Sequence, residues 1–233
     1  MILSISLEGG FLMKKFNKYF DHTLLKADAT EESIIQLCRE ALDYDFASVC
    51  VNSCYVPLVS GELNGSDIKT AAVVGFPLGA MSKAAKAAEA EKAIEDGANE
   101  IDTVINIGFA KDGKFQLIRQ ELTLLSDICH RKNAELKVIL ETCLLTDEEI
   151  VNACLAAKAA GADFVKTSTG FSTGGATVAD VKRMRQAVGD SMQIKASGGI
   201  RTLEDAMKMI EAGADRLGCS ASVAIMKEFF SRT

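Results

Sequence analysis

The stretch AGADFVK, residues 160–166, joins the end of a helix to the start of a strand within a few residues. DGANEID (residues 96–102) and AGADRLG (residues 212–218) repeat this pattern. In each of them a glycine supplies the left-handed backbone that commonly ends a helix, and an apolar strand follows. A recurring unit of helix, glycine and strand is typical of a chain in which strands and helices alternate.

Eight segments of the sequence have the composition of strands. Seven are mostly apolar, as expected for a parallel sheet that is covered on both faces. They are FASVCVN, IKTAAVVGFP, EIDTVIN, ELKVILET, DFVKTST, QIKASGG and DRLGCS, and KYFDHT near the start is a weaker eighth. Eight strand–helix units in 233 residues predict an α/β protein with a single-domain (β/α)8 TIM barrel, with a doubly wound open sheet as the alternative.

The segments between the predicted strands have helical patterns with legible starts. Thr30 and Thr202 each precede an apolar stripe at helical spacing, and Thr146 with Glu149 has the form of a capping box. At the other end of the chain, codons for LEGGFLMKK (residues 7–15) would resemble a purine-rich ribosome-binding site close to Met13. We therefore expect residues 1–12 to be a non-native or disordered extension and residues 13–233 to form the barrel.

Composition narrows the class of function. The net charge of −6 gives no basic surface for nucleic acid or for an anionic membrane, and no apolar run is long enough to span a bilayer. The seven cysteines are scattered without a C-x-x-C pair, and there are only two histidines. These features favour a cytoplasmic protein without disulfides, and they make a zinc site improbable.

Charged and polar residues follow or end the predicted strands more often than apolar strands should allow. In a (β/α)8 barrel the carboxyl ends of the strands carry the active site. The residues assigned to those ends are Asp21, Asn52, Asp102, Glu141, Lys166, Lys195 and Ser220. Any one of them alone is more often a solvated or ion-paired strand end, but two lysines on successive strands with a carboxylate available weaken that interpretation.

The two lysines suggest covalent chemistry. Lysine attacks a carbonyl only as the neutral amine, and burial beside a second ammonium favours that form. We interpret Lys166 as the nucleophile, Lys195 as its electrostatic activator and Asp102 as a proton relay that keeps Lys195 charged. His22 is interpreted as a packed or hydrogen-bonded histidine rather than a general base.

Two glycine-rich segments follow the last two predicted strands. SGGIRT (residues 197–202) and LGCSAS (residues 217–222) each lead into a helix. Backbone N–H groups at such turns commonly bind phosphate after the seventh and eighth strands of these barrels, although ordinary tight turns are an equal alternative for either loop alone. The chain has neither a P-loop nor a G-x-G-x-x-G turn after a strand, which argues against a nucleotide site.

Five motifs resemble one enzyme family. DFVKTSTGF, EIDTVINIG, KASGGIRT, VVGFPLG and LKVILET are similar to the 2-deoxyribose-5-phosphate aldolase family of class I aldolases, and the similarity runs from about Asp21 to the end of the chain. The resemblance implies a (β/α)8 barrel with no metal and no cofactor, acting on a small phosphosugar and aldehydes. It also implies that Lys166 forms a Schiff base and that Lys195 and Asp102 assist proton transfer.

The resemblance further implies which residues bind the substrate. Five positions match the phosphate loops and two match a D-x-T segment of the pocket: Gly170, Gly198, Gly199, Gly218 and Ser220, then Asp21 and Thr23. The sequence departs from the family at Ala221, where a hydroxyl is common, and in the ending EFFSRT, which lacks the C-terminal tyrosine of some members. The first departure bears on phosphate affinity and the second on catalytic rate.

Two alternative functions stay open beside an aldolase acting on deoxyribose phosphate. One is a sugar-phosphate-binding barrel that senses its ligand without catalysis, and the other is a Schiff-base aldolase with a different donor. The retention of both lysines and Asp102 argues against the first. The sequence is compatible with a homo-oligomer.

Overall fold

The computed structural model describes residues 16–232. Within them, eight parallel strands form a sheet that closes on itself in the order β1 to β8. The strands are β1 Phe20–Leu24, β2 Ser48–Asn52, β3 Lys69–Val74, β4 Glu100–Val104, β5 Glu135–Ile139, β6 Phe164–Lys166, β7 Gln193–Ser197 and β8 Arg216–Cys219. Because β1 pairs with β8 (Asp21 with Gly218), the (β/α)8 barrel is confirmed and the open sheet was the wrong alternative.

Helices surround the sheet. Among the described residues they are α1 Glu31–Tyr44, α2 Val56–Glu62, α3 Lys83–Glu95, α4 Ile107–Lys111, α5 Phe115–His130, α6 Asp147–Ala159, α7 Val178–Val188, α8 Leu203–Glu211 and α9 Ser222–Arg232. None of these helices combines the length and the apolar character that crossing a bilayer requires. The predicted boundary at residue 12 lies outside the described residues and stays a prediction.

The helix starts follow from the predicted caps. Thr30, Thr146 and Thr202 each accept a hydrogen bond from the backbone N–H three residues later, and at all three the third helical residue bonds back to complete a capping box. A capping box satisfies two N–H groups that the first turn of a helix leaves without partners. These contacts fix where α1, α6 and α8 begin relative to the strands before them.

Two separate apolar clusters fill the fold. The larger one packs the outer faces of the strands against the helices, with residues such as Phe20, Ile101 and Val165 buried completely. The smaller one contains Leu25, Cys50, Ala71 and Val73, with Phe76 packed against it. Its members come from β2, from β3 and from the loops that follow β1 and β3.

Candidate active site

Strand β1 and strands β4 to β8 carry charged side chains that contact one another. Ion-pair distances of 3.6 Å or less join seven of them among the described residues. We call this set the interior ion network, and it consists of Asp21, Glu100, Asp102, Lys137, Lys166, Lys195 and Arg216. Six of the seven are at most 2 % exposed, so the charges have exchanged water for one another.

Asp102 connects the two lysines singled out in the sequence. Its Oδ2 atom lies 2.8 Å from Lys166 Nζ and 2.8 Å from Lys195 Nζ. The lysines are register partners on β6 and β7, which brings both ammonium groups to the same carboxylate. A nucleophile candidate, a second cation and a proton acceptor are therefore within hydrogen-bonding reach of each other.

Lys195 is held by two carboxylates. In addition to Asp102 it contacts Asp21 Oδ2, and both carboxylates are fully buried. Burial alone would lower the pKa of Lys195, but the charges of Asp102 and Asp21 outweigh it and raise the pKa above its ordinary value. Lys195 therefore stays an ammonium at neutral pH.

Asp102 stays ionised for the complementary reason. Burial would raise the pKa of Asp102, but the charges of Lys137, Lys166 and Lys195 hold it far below its usual range. The same balance, with Arg216 contributing most among the cations, keeps the pKa of Asp21 well below normal. Before substrate binds, both carboxylates are therefore ionised and accept hydrogen bonds from neighbouring cations.

Three residues assigned to strand ends lie deeper than the sequence predicted. Asp21 is the second residue of β1, and Asp102 and Lys195 are the middle residues of β4 and β7. The assignment failed because residues that point into a barrel are layered along each strand, and apolar composition does not reveal the layer. Lys166 and Asn52 do end their strands, and Glu141 and Ser220 follow β5 and β8 closely.

The sequence analysis missed Lys137, Glu100 and Arg216. Lys137 pairs in register with Asp102; its ammonium hydrogen-bonds Glu100 and lies 3.3 Å from Asp102 Oδ1. Arg216 Nη1 lies 2.6 Å from Asp21 Oδ1, and its Nη2 lies 3.3 Å from Glu100 Oε1. A signal was present, because Lys137 interrupts the apolar strand LKVIL just as Lys166 interrupts its own.

The loops after β6 and β7 pack together. Ala176 N–H donates to the carbonyls of Ser197 and Gly198 at 3.1 and 3.0 Å, and Ser197 Oγ donates to the Ser168 carbonyl at 2.6 Å. Gly170, Gly198 and Gly199 have φ values of 85°, 83° and 80°, a region that side chains disfavour. Turns with such backbone angles are of the kind whose N–H groups can bind anions.

The remaining predicted substrate residues are placed differently. Gly218 lies inside β8, not in the loop, and a Cβ there would come within 2.8 Å of Lys195 Cε. Ser220 is exposed between β8 and α9. Thr23 is half-buried and donates to the Asp21 carbonyl at 2.8 Å. His22 points away from these residues to Glu40 Oε2, 2.8 Å away, in agreement with a hydrogen-bonded histidine.

The Glu141 side chain hydrogen-bonds the loop that follows β6. Its carboxylate accepts the Thr169 N–H at 3.3 Å and the Thr169 hydroxyl at short range. The Glu141 backbone is left-handed, with φ 59°, which is uncommon for a residue with a side chain. The strain is tolerated where it places a buried carboxylate beneath the loop that carries Gly170.

The smaller apolar cluster, on β2, β3 and the loops after β1 and β3, faces the ion network. Val73 is the register partner of Asp102. The charges of Lys195, Asp102 and Lys166 act on the Cys50 thiol. Above it, Phe76 and Phe171 meet edge to face with ring centroids 5.3 Å apart. Phe76 follows β3 and Phe171 follows β6, so this contact reaches across the mouth of the barrel.

Comparison with known proteins places the chain in a family. Residues 16–228 match the model described as DeoC/LacD family aldolase. The chain belongs to this aldolase family. The whole described barrel except the last turn of α9 is included in the match.

Similar proteins support the assignment at high identity. The deoxyribose-phosphate aldolase of Clostridium novyi (strain NT) is 58 % identical over 211 residues, which cover 91 % of this chain and 95 % of that protein. The deoxyribose-phosphate aldolase of Clostridium tetani (strain Massachusetts / E88) is 56 % identical over 92 % of this chain and 99 % of that one. The tetrameric deoxyribose phosphate aldolase of Aeropyrum pernix has 34 % identity and a TM-score of 0.89, covering 95 % of this chain and 93 % of that one.

This DeoC/LacD aldolase also lacks an obvious metal site in the part that is described. Between residues 16 and 232, no three His, Cys, Asp or Glu side chains are grouped as they would be around an ion. The acidic side chains near Lys166 are instead engaged by lysines and Arg216. The expectation of a reaction without a metal remains a prediction from the family resemblance.

Proposed function

We propose that this chain is a class I deoxyribose-phosphate aldolase, which reversibly cleaves 2-deoxy-D-ribose 5-phosphate to acetaldehyde and D-glyceraldehyde 3-phosphate. The observation that carries the proposal is the contact of Lys166 with Asp102 and, through it, with Lys195, in a closed barrel of the aldolase family. In this proposal Lys166 is the nucleophile, and Asp102 and Lys195 move protons.

The reaction follows from the chemistry of a neutral amine. Lys166 Nζ attacks the aldehyde carbon of the open-chain sugar, and loss of water gives an iminium. A base removes the proton of the hydroxyl on the third carbon while the bond between the second and third carbons breaks. Its electron pair flows to the iminium nitrogen and leaves an enamine. D-Glyceraldehyde 3-phosphate departs, a proton is added to the enamine carbon, and water releases acetaldehyde.

The surroundings suit each step. Asp102 accepts hydrogen bonds from both lysines at 2.8 Å, so a proton can pass between the lysines and the substrate through this carboxylate or a water beside it. The apolar cluster with Leu25, Cys50 and Val73 offers an unreactive surface for the two-carbon fragment. The turns at Gly170, Gly198 and Gly199, with Ser220, are proposed to bind the phosphate, and Asp21 and Thr23 to complete the pocket.

The proposal extends to location and assembly. All seven cysteines are free, which suits a reducing cytoplasm. The charge of a phosphorylated sugar keeps it from crossing a bilayer, which also suits a cytoplasmic enzyme. The Aeropyrum pernix relative is described as tetrameric, and we propose that this chain too forms a homo-oligomer.

A trapping experiment tests the function. The protein is mixed with acetaldehyde, quenched with borohydride and digested, and the peptides are searched for an added ethyl group. We expect the label on Lys166, complete loss of label and of turnover in Lys166→Leu, and no change in Lys182→Leu, a control at an exposed lysine of α7. Binding of the phosphosugar without label in the wild type would instead identify a non-catalytic sensor.

A further inference from the structure

The interior ion network holds unequal numbers of positive and negative groups. Among residues 16–232 it joins the cations Lys137, Lys166, Lys195 and Arg216 to the carboxylates Asp21, Glu100 and Asp102. With all seven charged, the network carries one positive charge in excess. It becomes neutral when one lysine loses its proton.

The contacts identify which cation is least compensated. Lys137 contacts all three carboxylates, while Lys195 and Arg216 each contact two. Within the described part of the chain Lys166 forms an ion pair with Asp102 alone, and it shares the Oδ2 atom with Lys195. Of the four cations, Lys166 is therefore the least compensated by opposite charge, and a neutral amine at this position is the form that the proposed chemistry uses.

Glu100 and Arg216 take part in this balance from a distance. Glu100 contacts Lys137 and Arg216, and Arg216 also contacts Asp21. Among the described residues, neither Glu100 nor Arg216 forms an ion pair with Lys166. Both are the first residues of their strands, β4 and β8, whereas Lys166 is the last residue of β6. They therefore lie a layer below the proposed chemistry.

We propose that Glu100 and Arg216 are positioning residues that set the pH range in which Lys166 forms its imine, through the charge they add to a sealed network. This inference rests on the proposed function and assigns a role to two residues outside the substrate pocket. Their contribution is electrostatic, so its sign follows the sign of the charge that is removed.

The expected directions are opposite for the two residues. Glu100→Gln removes a negative charge and leaves the network positive even with a neutral Lys166, so imine formation should extend to lower pH. Arg216→Met removes a positive charge, so the network keeps its proton up to a higher pH. Imine formation should therefore shift to higher pH. At an effective dielectric constant near 20, a charge one layer away from Lys166 should shift the profile by about one pH unit. The double variant restores the balance and should return the profile to that of the wild type.

Other charged and titratable groups face Lys166 or the network and could absorb the change. From the strands they are Asp21 on β1, Cys50 on β2, Asp102 on β4, Glu135 and Lys137 on β5 and Lys195 on β7. Burial raises the pKa of Glu135, so this carboxylate is the group most able to take up a proton when Arg216 is removed. Such compensation would leave the imine profile unchanged.

The experiment measures imine formation directly. The wild type, Glu100→Gln, Arg216→Met and the double variant are mixed with acetaldehyde between pH 5 and 9 and quenched with borohydride, and the ethylated fraction of Lys166 is measured by mass spectrometry. Arg216→Lys keeps the charge and serves as the control, with the wild-type profile expected. Circular dichroism checks that each variant is folded. Each variant has its own predicted shift, so the others still test the inference if one does not fold.

The outcomes separate this inference from the proposed function. Opposite shifts that cancel in the double variant support it. Profiles that overlay the wild type, or shifts in the same direction, overturn it even though Lys166 is labelled. A wild type that gives no label on Lys166 defeats the proposed function itself.

Discussion

Gly218 lies on β8 where the Lys195 side chain passes closest to the barrel wall. A Cβ added there would be 2.8 Å from Lys195 Cε and 3.1 Å from Ser197 Cβ. Moving the Lys195 side chain away would break the ion pairs of its ammonium group with Asp102 and Asp21. The glycine is therefore explained by the room that Lys195 needs.

The variant Gly218→Ala should displace the Lys195 ammonium from Asp102. Misplacement of a reacting group by about 1 Å costs roughly 100-fold in rate, so we expect kcat to fall by about 10- to 100-fold. The loss should be equal for 2-deoxyribose 5-phosphate and for unphosphorylated 2-deoxyribose. A defect confined to the phosphorylated substrate and to KM would show that Gly218 serves the phosphate loop after all.

Ala221 is the residue at which the last loop lacks a hydroxyl. It lies half-buried between Ser220 and the start of α9. Ala221→Ser adds one donor to the proposed phosphate loop, and a neutral hydrogen bond contributes about 0.5–1.5 kcal/mol. We expect KM for the phosphorylated sugar to fall by about 2- to 10-fold with kcat little changed. Equal responses of phosphorylated and unphosphorylated sugar would place the phosphate elsewhere.

At the scale of elements, the loop after β6 depends on the loop after β5. Glu141 accepts the Thr169 N–H and hydroxyl, and Thr169 Oγ1 in turn accepts the Phe171 N–H at 3.0 Å. These bonds fix the backbone on both sides of Gly170. The segment from β5 to β6 therefore supports the turn that is proposed to bind phosphate.

Glu141→Gln keeps the shape of the side chain but weakens the bonds that a carboxylate accepts. A hydrogen bond to a charged group is worth about 1.5–3 kcal/mol, against about 1 kcal/mol for a neutral pair. We expect KM for the phosphorylated sugar to rise about 3- to 10-fold, with little loss of kcat. Glu148→Gln, an exposed position in the first turn of α6, is the matched control. An unchanged KM in Glu141→Gln would show that the loop does not need this support.

The strands and helix caps could be predicted from the sequence, but the depth of the charged residues inside the barrel could not. Strands and caps were predictable because they depend on local features, such as the apolar run around Val165 or the threonine at 146. The depth of Asp102 and Lys195 was not predictable, since depth depends on register with neighbouring strands. Glu100 and Arg216 were missed because a charge at the start of a strand looks like an ordinary solvated residue until the barrel is closed.

At the scale of the whole molecule, His22 links stability to pH. Its ring is buried, and although Glu40 partly compensates, burial lowers the pKa of His22 from its ordinary value of 6.5. The unfolded chain therefore binds more protons than the folded chain just below pH 6.5. The contribution to stability is complete above that pH and is lost as the pH falls toward the folded pKa.

We therefore expect the free energy of unfolding to decrease between pH 7.5 and 5.5, and His22→Gln to reduce this dependence. Urea denaturation at a series of pH values measures it. Asp21 and Asp102 do not interfere in this range, because their pKa values are lowered. His130→Gln changes the only other histidine of the chain, which pairs with Asp163, and measures its share of the dependence separately. An identical slope in His22→Gln and wild type would contradict the assignment.

The pairing of β1 with β8 has a consequence for biosynthesis. Asp21 finds its partner Arg216 across 195 positions of the chain, and Lys195 is almost as distant. On the ribosome, the first strand emerges long before the residues that neutralise its carboxylate, and the nascent sheet keeps two open edges until the eighth strand is made. The barrel can therefore seal only after the eighth strand is made, and until then the unfinished chain exposes strand edges and apolar surface that the last strands will bury.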